Sequence, residues 1–160
     1  MIRTWLNLLS IGLILANCQK TDFNTDFPPP DEGVKIGAIY PSSIGGIDPK
    51  FEFLPDNDDK KIFGHRAKYG DYAEIQSIET KDTAILDQFF ESKILENYFK
   101  GDFKTKASGK FNNNWIGRGT LKDGTRVYAW SNKNWIYLIK AKDEGAFREV
   151  IRGFPFISED

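Results

Sequence analysis

The chain holds one histidine and one cysteine, so few residues can carry conventional polar catalysis. His65 is the candidate base or imidazole ligand, with Asp71 and Glu74 the carboxylates that could stand near it. A hydrolase triad needs a nucleophile, a base and an orienting group, and a metal site usually needs three or four ligands. A single histidine with no nucleophile motif meets neither requirement, so His65 reads as a surface or structural residue. Asp56 and Asp58 have the spacing that opens a calcium loop. Lys60 and Lys61 then occupy later positions, and the required glycine is missing. That stretch reads as a solvated turn. Gly45-Gly46 follows Ser42-Ser43, but the GxxxxGK[ST] phosphate-loop pattern is absent. No catalytic residue, metal or cofactor is expected. A small hydrolase-like enzyme is the least favoured function.

The cysteine has clearer chemistry. Trp5 to Ala16 is an apolar run of about a dozen residues after the basic Arg3, too short for the roughly 20 helical residues that span a bilayer. It has the length of a signal-peptide core. The run ends Leu15-Ala16-Asn17-Cys18, which resembles the lipobox of bacterial lipoproteins. The resemblance implies a signal peptide over residues 1–17 and lipidation of Cys18, which would carry diacylglyceryl and an N-acyl chain. It implies a cell-envelope protein anchored to the lipid bilayer through acylated Cys18. Gln19, rather than aspartate, after the cysteine points to the outer membrane, facing the periplasm. The resemblance says nothing about the domain behind it. With Cys18 the sole cysteine, no internal disulfide can form even in an oxidising compartment.

From Cys18 to Asp160 the chain is of ordinary size for one domain, with enough apolar side chains for a core. The full chain has net charge −1. Such a balance exerts no long-range pull on nucleic acid, and no nucleic-acid partner is expected. Residues 18–32 read as a flexible tether stiffened by Pro28-Pro29-Pro30. An arm lying along the fold is the alternative, with Phe23 and Phe27 to dock it. Residues 33–160 then form a single domain.

The domain is organised by Lys110 to Ala141, read as three antiparallel strands. Asp123-Gly124 between extended runs is a strong hairpin signal. A two-residue turn there pairs Gly119 with Tyr128 and Gly117 with Trp130. A second turn centred on Asn132-Lys133 pairs Trp130 with Trp135 and Tyr128 with Tyr137. One face then carries Val127, Ala129, Ile136 and Leu138. The other carries Tyr128, Trp130, Trp135 and Tyr137, with Trp115 on the same parity and glycines beside them. That aromatic face is either a second buried face or dimer contact, or an exposed platform for a protein or small apolar ligand.

The elements that must position this ribbon follow from periodicity. Ile85, Leu86, Phe89, Phe90, Ile94, Leu95, Tyr98 and Phe99 form a broad apolar stripe over a helix from Asp82 to Phe99. Asp82 or Thr83 caps its start and Gly101 closes its end. A shorter helix, Asp143 to Gly153, buries Ala146, Phe147, Val150 and Ile151. Tyr72 to Glu79 alternates as a half-buried strand, and Phe51 to Leu54 reads as a short one. Phe103 to Phe111 carries Lys104, Lys106 and Lys110, as suits an edge strand. The order predicts an α+β fold: an antiparallel sheet of four to six strands with two helices on one face. The expected function is a non-catalytic binding or accessory module of the envelope. A scaffold or assembly subunit of an envelope complex is the alternative. The oligomeric state is open.

Overall fold

The computed structural model describes residues 23–54 and 62–159. The expected signal peptide, Cys18 and the stretch 56–61 expected to be a solvated turn lie outside the described residues. The centre is a seven-stranded, wholly antiparallel sheet in the order β2-β3-β4-β8-β7-β6-β5. Its strands are β2 (Lys50–Leu54), β3 (Ile62–Tyr69), β4 (Ala73–Thr80), β5 (Phe103–Phe111), β6 (Asn114–Leu121), β7 (Arg126–Asn132) and β8 (Trp135–Ala141). A two-stranded ribbon joins β1 (Phe23–Asn24) to β9 (Ser158–Glu159).

The predicted α+β arrangement with helices on one face is not what forms. The molecule is sheet-rich, with 45% of the described residues in strands against 23% helical, and its helices lie on both faces. The cause is in β7 and β8, which are apolar on both sides. Val127, Ala129, Ile136 and Leu138 face one core, while Tyr128, Trp130, Tyr137 and Ile139 face the other. Neither face can be left to water, so each takes its own cover.

The first cover is the long helical segment: α2 (Thr83–Phe89), a π-helical stretch (Phe90–Leu95) and α3 (Glu96–Tyr98). The Asp82 side chain accepts from Ile85 N at 2.9 Å, as a helix N-cap should. Its fully buried positions are Leu86, Phe90, Ile94 and Phe99. Those spacings of four, four and five suit the wider π turn, which keeps one stripe on the sheet. The second cover is α4 (Glu144–Gly153), capped by Asp143 on Ala146 N at 2.8 Å. It is joined by the short α1 (Ile36–Ile39), the tail after Gly153, and the N-terminal arm. That arm is no free tether from residue 23 onward. Phe23 is 2% exposed, and Asn132 Nδ2 donates to the carbonyls of Thr25 at 3.3 Å and Phe27 at 2.5 Å.

Two turns set the register, and both differ from expectation, the first by one residue and the second by two. Gly124 N donates to Leu121 O at 3.0 Å and Leu121 N to Thr125 O at 2.9 Å. Lys122, Asp123 and Gly124 therefore form a three-residue loop, with Gly124 at φ 97° and Asp123 Oδ1 accepting from Thr125 N. This is a turn closed by a left-handed glycine, the next commonest hairpin after the two-residue type. It pairs Gly119 with Val127 and Gly117 with Ala129. A one-residue slip moves every side chain of β6 to the other face. Gly117 and Gly119 thus lie beneath Phe99 and Phe103, not beside Trp130. The β7–β8 turn is centred on Lys133-Asn134, so Trp130 pairs with Tyr137 and Asn132 with Trp135. This shift is even, and the two faces of β7 and β8 keep their predicted membership.

Candidate functional site

Of the two readings of the aromatic face, the second buried face is the one that forms. Tyr128 and Tyr137 are 1% exposed and Trp130 is 0%. Trp130 stacks on Tyr137 at 5.1 Å, and Phe154 meets both edge-on at 6.1 and 5.8 Å. Phe156 stacks on the other side of Tyr137 at 5.0 Å, and Phe23 covers Tyr128 at 5.3 Å. The sequence left open whether this face is covered or exposed, because the docking of the arm and tail could not be read from periodicity. Among the described residues, Trp130 Nε1 and the Tyr137 hydroxyl have no hydrogen-bond partner in their buried positions, and burial pushes the Tyr137 phenol far above its ordinary pKa. Trp135 lies on the same side, half-buried, stacked on Tyr137 at 6.1 Å.

Trp115 belongs to the opposite face, carried there by the β6 register. Its ring stacks on Phe90 at 5.2 Å, and its Nε1 donates to Asp87 Oδ1 at 2.8 Å. Lys110 Nζ binds the other oxygen of Asp87 at 2.6 Å. These two hydrogen bonds, that from Lys110 first, hold the Asp87 carboxyl below its ordinary pKa. Together they fasten α2 to the β5–β6 hairpin.

The residues considered for acid–base work do not converge. His65 pairs with Ser77 and Glu74 with Lys68. The alternation of strand side chains therefore puts His65 and Glu74 on opposite faces. His65 sits against Phe53 at 5.3 Å, and partial burial lowers its pKa. Glu74 lies 3.2 Å from Arg66 Nε and accepts from Gln76 Nε2 at 2.6 Å. Gln76 Nε2 also reaches the Tyr98 hydroxyl at 2.5 Å. That network satisfies a buried amide and ties α3 to the sheet. Asp71 stands exposed in the turn between β3 and β4. Among the described residues, no three His, Cys, Asp or Glu side chains gather as a metal site requires.

What the sequence reading missed is an apolar edge. Phe51, Phe53 and Phe63 are 43%, 61% and 51% exposed. Phe51 pairs with Ala67 and Phe53 with His65, so all three rings share the face that carries Trp130 further in. They lie on β2 and β3, at one margin of the sheet. The reverse side of the same strands is ionic: Glu52 meets Arg66 at 3.4 Å and Lys68 at 3.0 Å. One side of this margin is salt-linked and solvated; the other offers three phenyl rings to solvent. The alternation Phe51-Glu52-Phe53 was the available signal. It gains meaning once the parity of Phe63 and His65 is known.

No protein-family model matches the chain, and no curated protein matches it in sequence. One solved structure with some likeness is a GTP binding regulator from Thermotoga maritima. It is 13% identical, with a TM-score of 0.45, over 71% of this chain and 81% of that one.

Proposed function

We propose that the chain is a lipid-anchored protein of the bacterial envelope that works by binding rather than by catalysis. The β2–β3 phenyl margin is its contact surface for a protein partner. The observation that carries the binding surface is the exposure of Phe51, Phe53 and Phe63 on one side of two adjacent strands. Clustered exposed aromatics mark interaction sites more often than singly scattered apolar residues do. β2 is also an edge strand, whose outer backbone groups can pair with a strand from a partner. Anchoring rests on the apolar run and Leu15-Ala16-Asn17-Cys18, and outer-membrane placement on Gln19.

A second reading, a structural subunit of an envelope assembly, is favoured by the form of this surface. It is an open strand margin rather than a cleft, which suits a macromolecule better than a small ligand. Cross-linking in intact cells with a photoreactive residue at Phe53 and at an exposed control, Lys93, distinguishes the proposals from no interaction. A discrete adduct from position 53 alone is expected. Equal or absent adducts at both positions overturn the surface. A Cys18→Ala chain that remains in the membrane fraction overturns the anchor.

A further inference from the structure

The proposed anchor, taken with the docked arm, fixes which side of the molecule meets the bilayer. Only residues 19–22 separate Cys18 from Phe23. Even fully extended, the five steps from Cys18 to Phe23 span at most about 18 Å. Phe23 is itself seated in the core, against Tyr128 and Phe147. An acylated Cys18 therefore holds the body against the bilayer, with no long tether between them.

The surface beside Phe23 suits that position. Residues 23–26 line a groove whose far wall is Phe111, Asn112, Asn114 and Ile116. A second, shallower groove continues along β5 from Ala107 to Phe111. Phe111 borders both and is 61% exposed. The β5–β6 hairpin, residues 103–121, carries Lys104, Lys106, Lys110 and Arg118 and no acidic residue, in a chain of net charge −1. Asp87 neutralises Lys110, and Lys106 Nζ donates to Phe99 O at 3.1 Å. Lys104 stays on the exposed outer strand. Lys106 and Lys110 pair with Gly119 and Trp115 and so lie on the opposite face from Phe111, while Arg118 lines the same groove as Phe111. A large exposed ring within reach of an acylated Cys18 is what a lipid interface accepts at the acyl boundary.

We infer that the β5–β6 hairpin lies on the bilayer surface with Phe111 at the lipid interface, an orientation that rests on the anchoring reading above. β2 is the opposite margin of the seven-stranded sheet. Six strand spacings place it about 29 Å away. The phenyl margin then faces the aqueous compartment, turned away from the membrane.

The sole natural cysteine is the anchor itself, so a second cysteine can be placed and labelled selectively on the acylated protein. Phe111→Cys and Phe53→Cys, each carrying an environment-sensitive fluorophore, are reconstituted on phosphatidylethanolamine–phosphatidylglycerol vesicles. The 111 probe is expected to lose most of its quenching by aqueous iodide and to be quenched by brominated lipid. The 53 probe is expected to keep its iodide quenching. Flotation with a fully iodide-accessible 111 probe, or with the 53 probe in lipid instead, overturns the orientation while leaving the anchor intact. An intact mass showing no acylation of Cys18, with no flotation, overturns both.

Discussion

Gly117→Ala tests the β6 register directly, because a one-residue slip would put Gly117 on the other face. A Cβ at Gly117 would lie 2.9 Å from Phe99 Cζ and 3.0 Å from Cε2. Real Cβ atoms do not tolerate such contacts, and Phe99 is only 4% exposed, so its ring has little room to withdraw. Overpacking of this kind costs about 1–3 kcal/mol, against about 0.5–1 kcal/mol gained by removing a glycine from a strand interior. The net loss is about 0.5–2 kcal/mol, or a fall of roughly 2–8 °C in Tm for a domain of this size. Chemical denaturation of Gly117→Ala, Phe99→Leu and the double variant supplies the decisive comparison. Leucine lacks the ring tip that meets the new methyl. The double variant should therefore recover at least about 0.5 kcal/mol relative to the sum of the single losses. The same glycine change combined with Trp130→Phe should be additive, since Trp130 lies across the sheet. Additivity with Phe99→Leu and coupling to Trp130→Phe would refute the three-residue loop and restore the two-residue register.

Two further outcomes follow from the buried aromatic face. Trp130→Ala should cost about 3–5 kcal/mol, a large share of the 5–15 kcal/mol typical of a domain; denaturant unfolding measures it, and a near-wild-type midpoint would show that the face is open. Burial of the hydroxyl is the main cause that pushes the Tyr40 phenol up to about 12, and burial likewise raises Tyr69 and Tyr137. The folded state therefore holds these protons more tightly than the unfolded chain. Their contribution to stability is complete below pH about 10 and declines as pH rises through that value towards 12. Phenolate absorbance followed together with near-ultraviolet circular dichroism should show these tyrosines ionising only as the fold is lost. Normal ionisation near 10 in an intact fold would contradict their burial.

Features set by short-range chemistry were legible from sequence. The stripe from Ile85 to Phe99 and the caps at Asp82 and Asp143 depend on spacings within one element. The lysines of β5 do mark an outer strand, as their alternation suggested. The faces of β7 and β8 were also readable, since a turn misplaced by an even shift keeps parity. The β6–β7 hairpin failed because Asp123-Gly124 is compatible with both two- and three-residue loops, and the difference of one residue carries Trp115, Gly117 and Gly119 through the sheet. The two-sided cover failed for a different reason. Nothing local in Phe23, Phe154 or Phe156 says that they meet over Tyr128 and Tyr137; that contact joins the two ends of the chain. The phenyl margin was hidden for the same reason, because the exposure of Phe53 depends on what lies over β3.

The relocation of the candidate contact surface follows from the covering of the sheet. An antiparallel sheet often spares one face for solvent or ligand, and the search for a binding surface then begins on that face. Here α2 and its continuation fill one side, while α4, the tail and the arm fill the other. The strongest aromatic residues are used up in holding these layers together. Among the described residues, the phenyl rings left exposed are at the margins, on β2–β3 and at Phe111 of the β5–β6 hairpin. These margins differ in charge as well as position: β2–β3 pairs its cations with Glu52 and Glu74, whereas the β5–β6 hairpin has no acid of its own. On the proposed reading, the first margin meets a protein partner and the second meets the bilayer. If one sheet serves both, its width of about 29 Å is the working dimension of the molecule, and a partner on β2 is met at that height above the lipid.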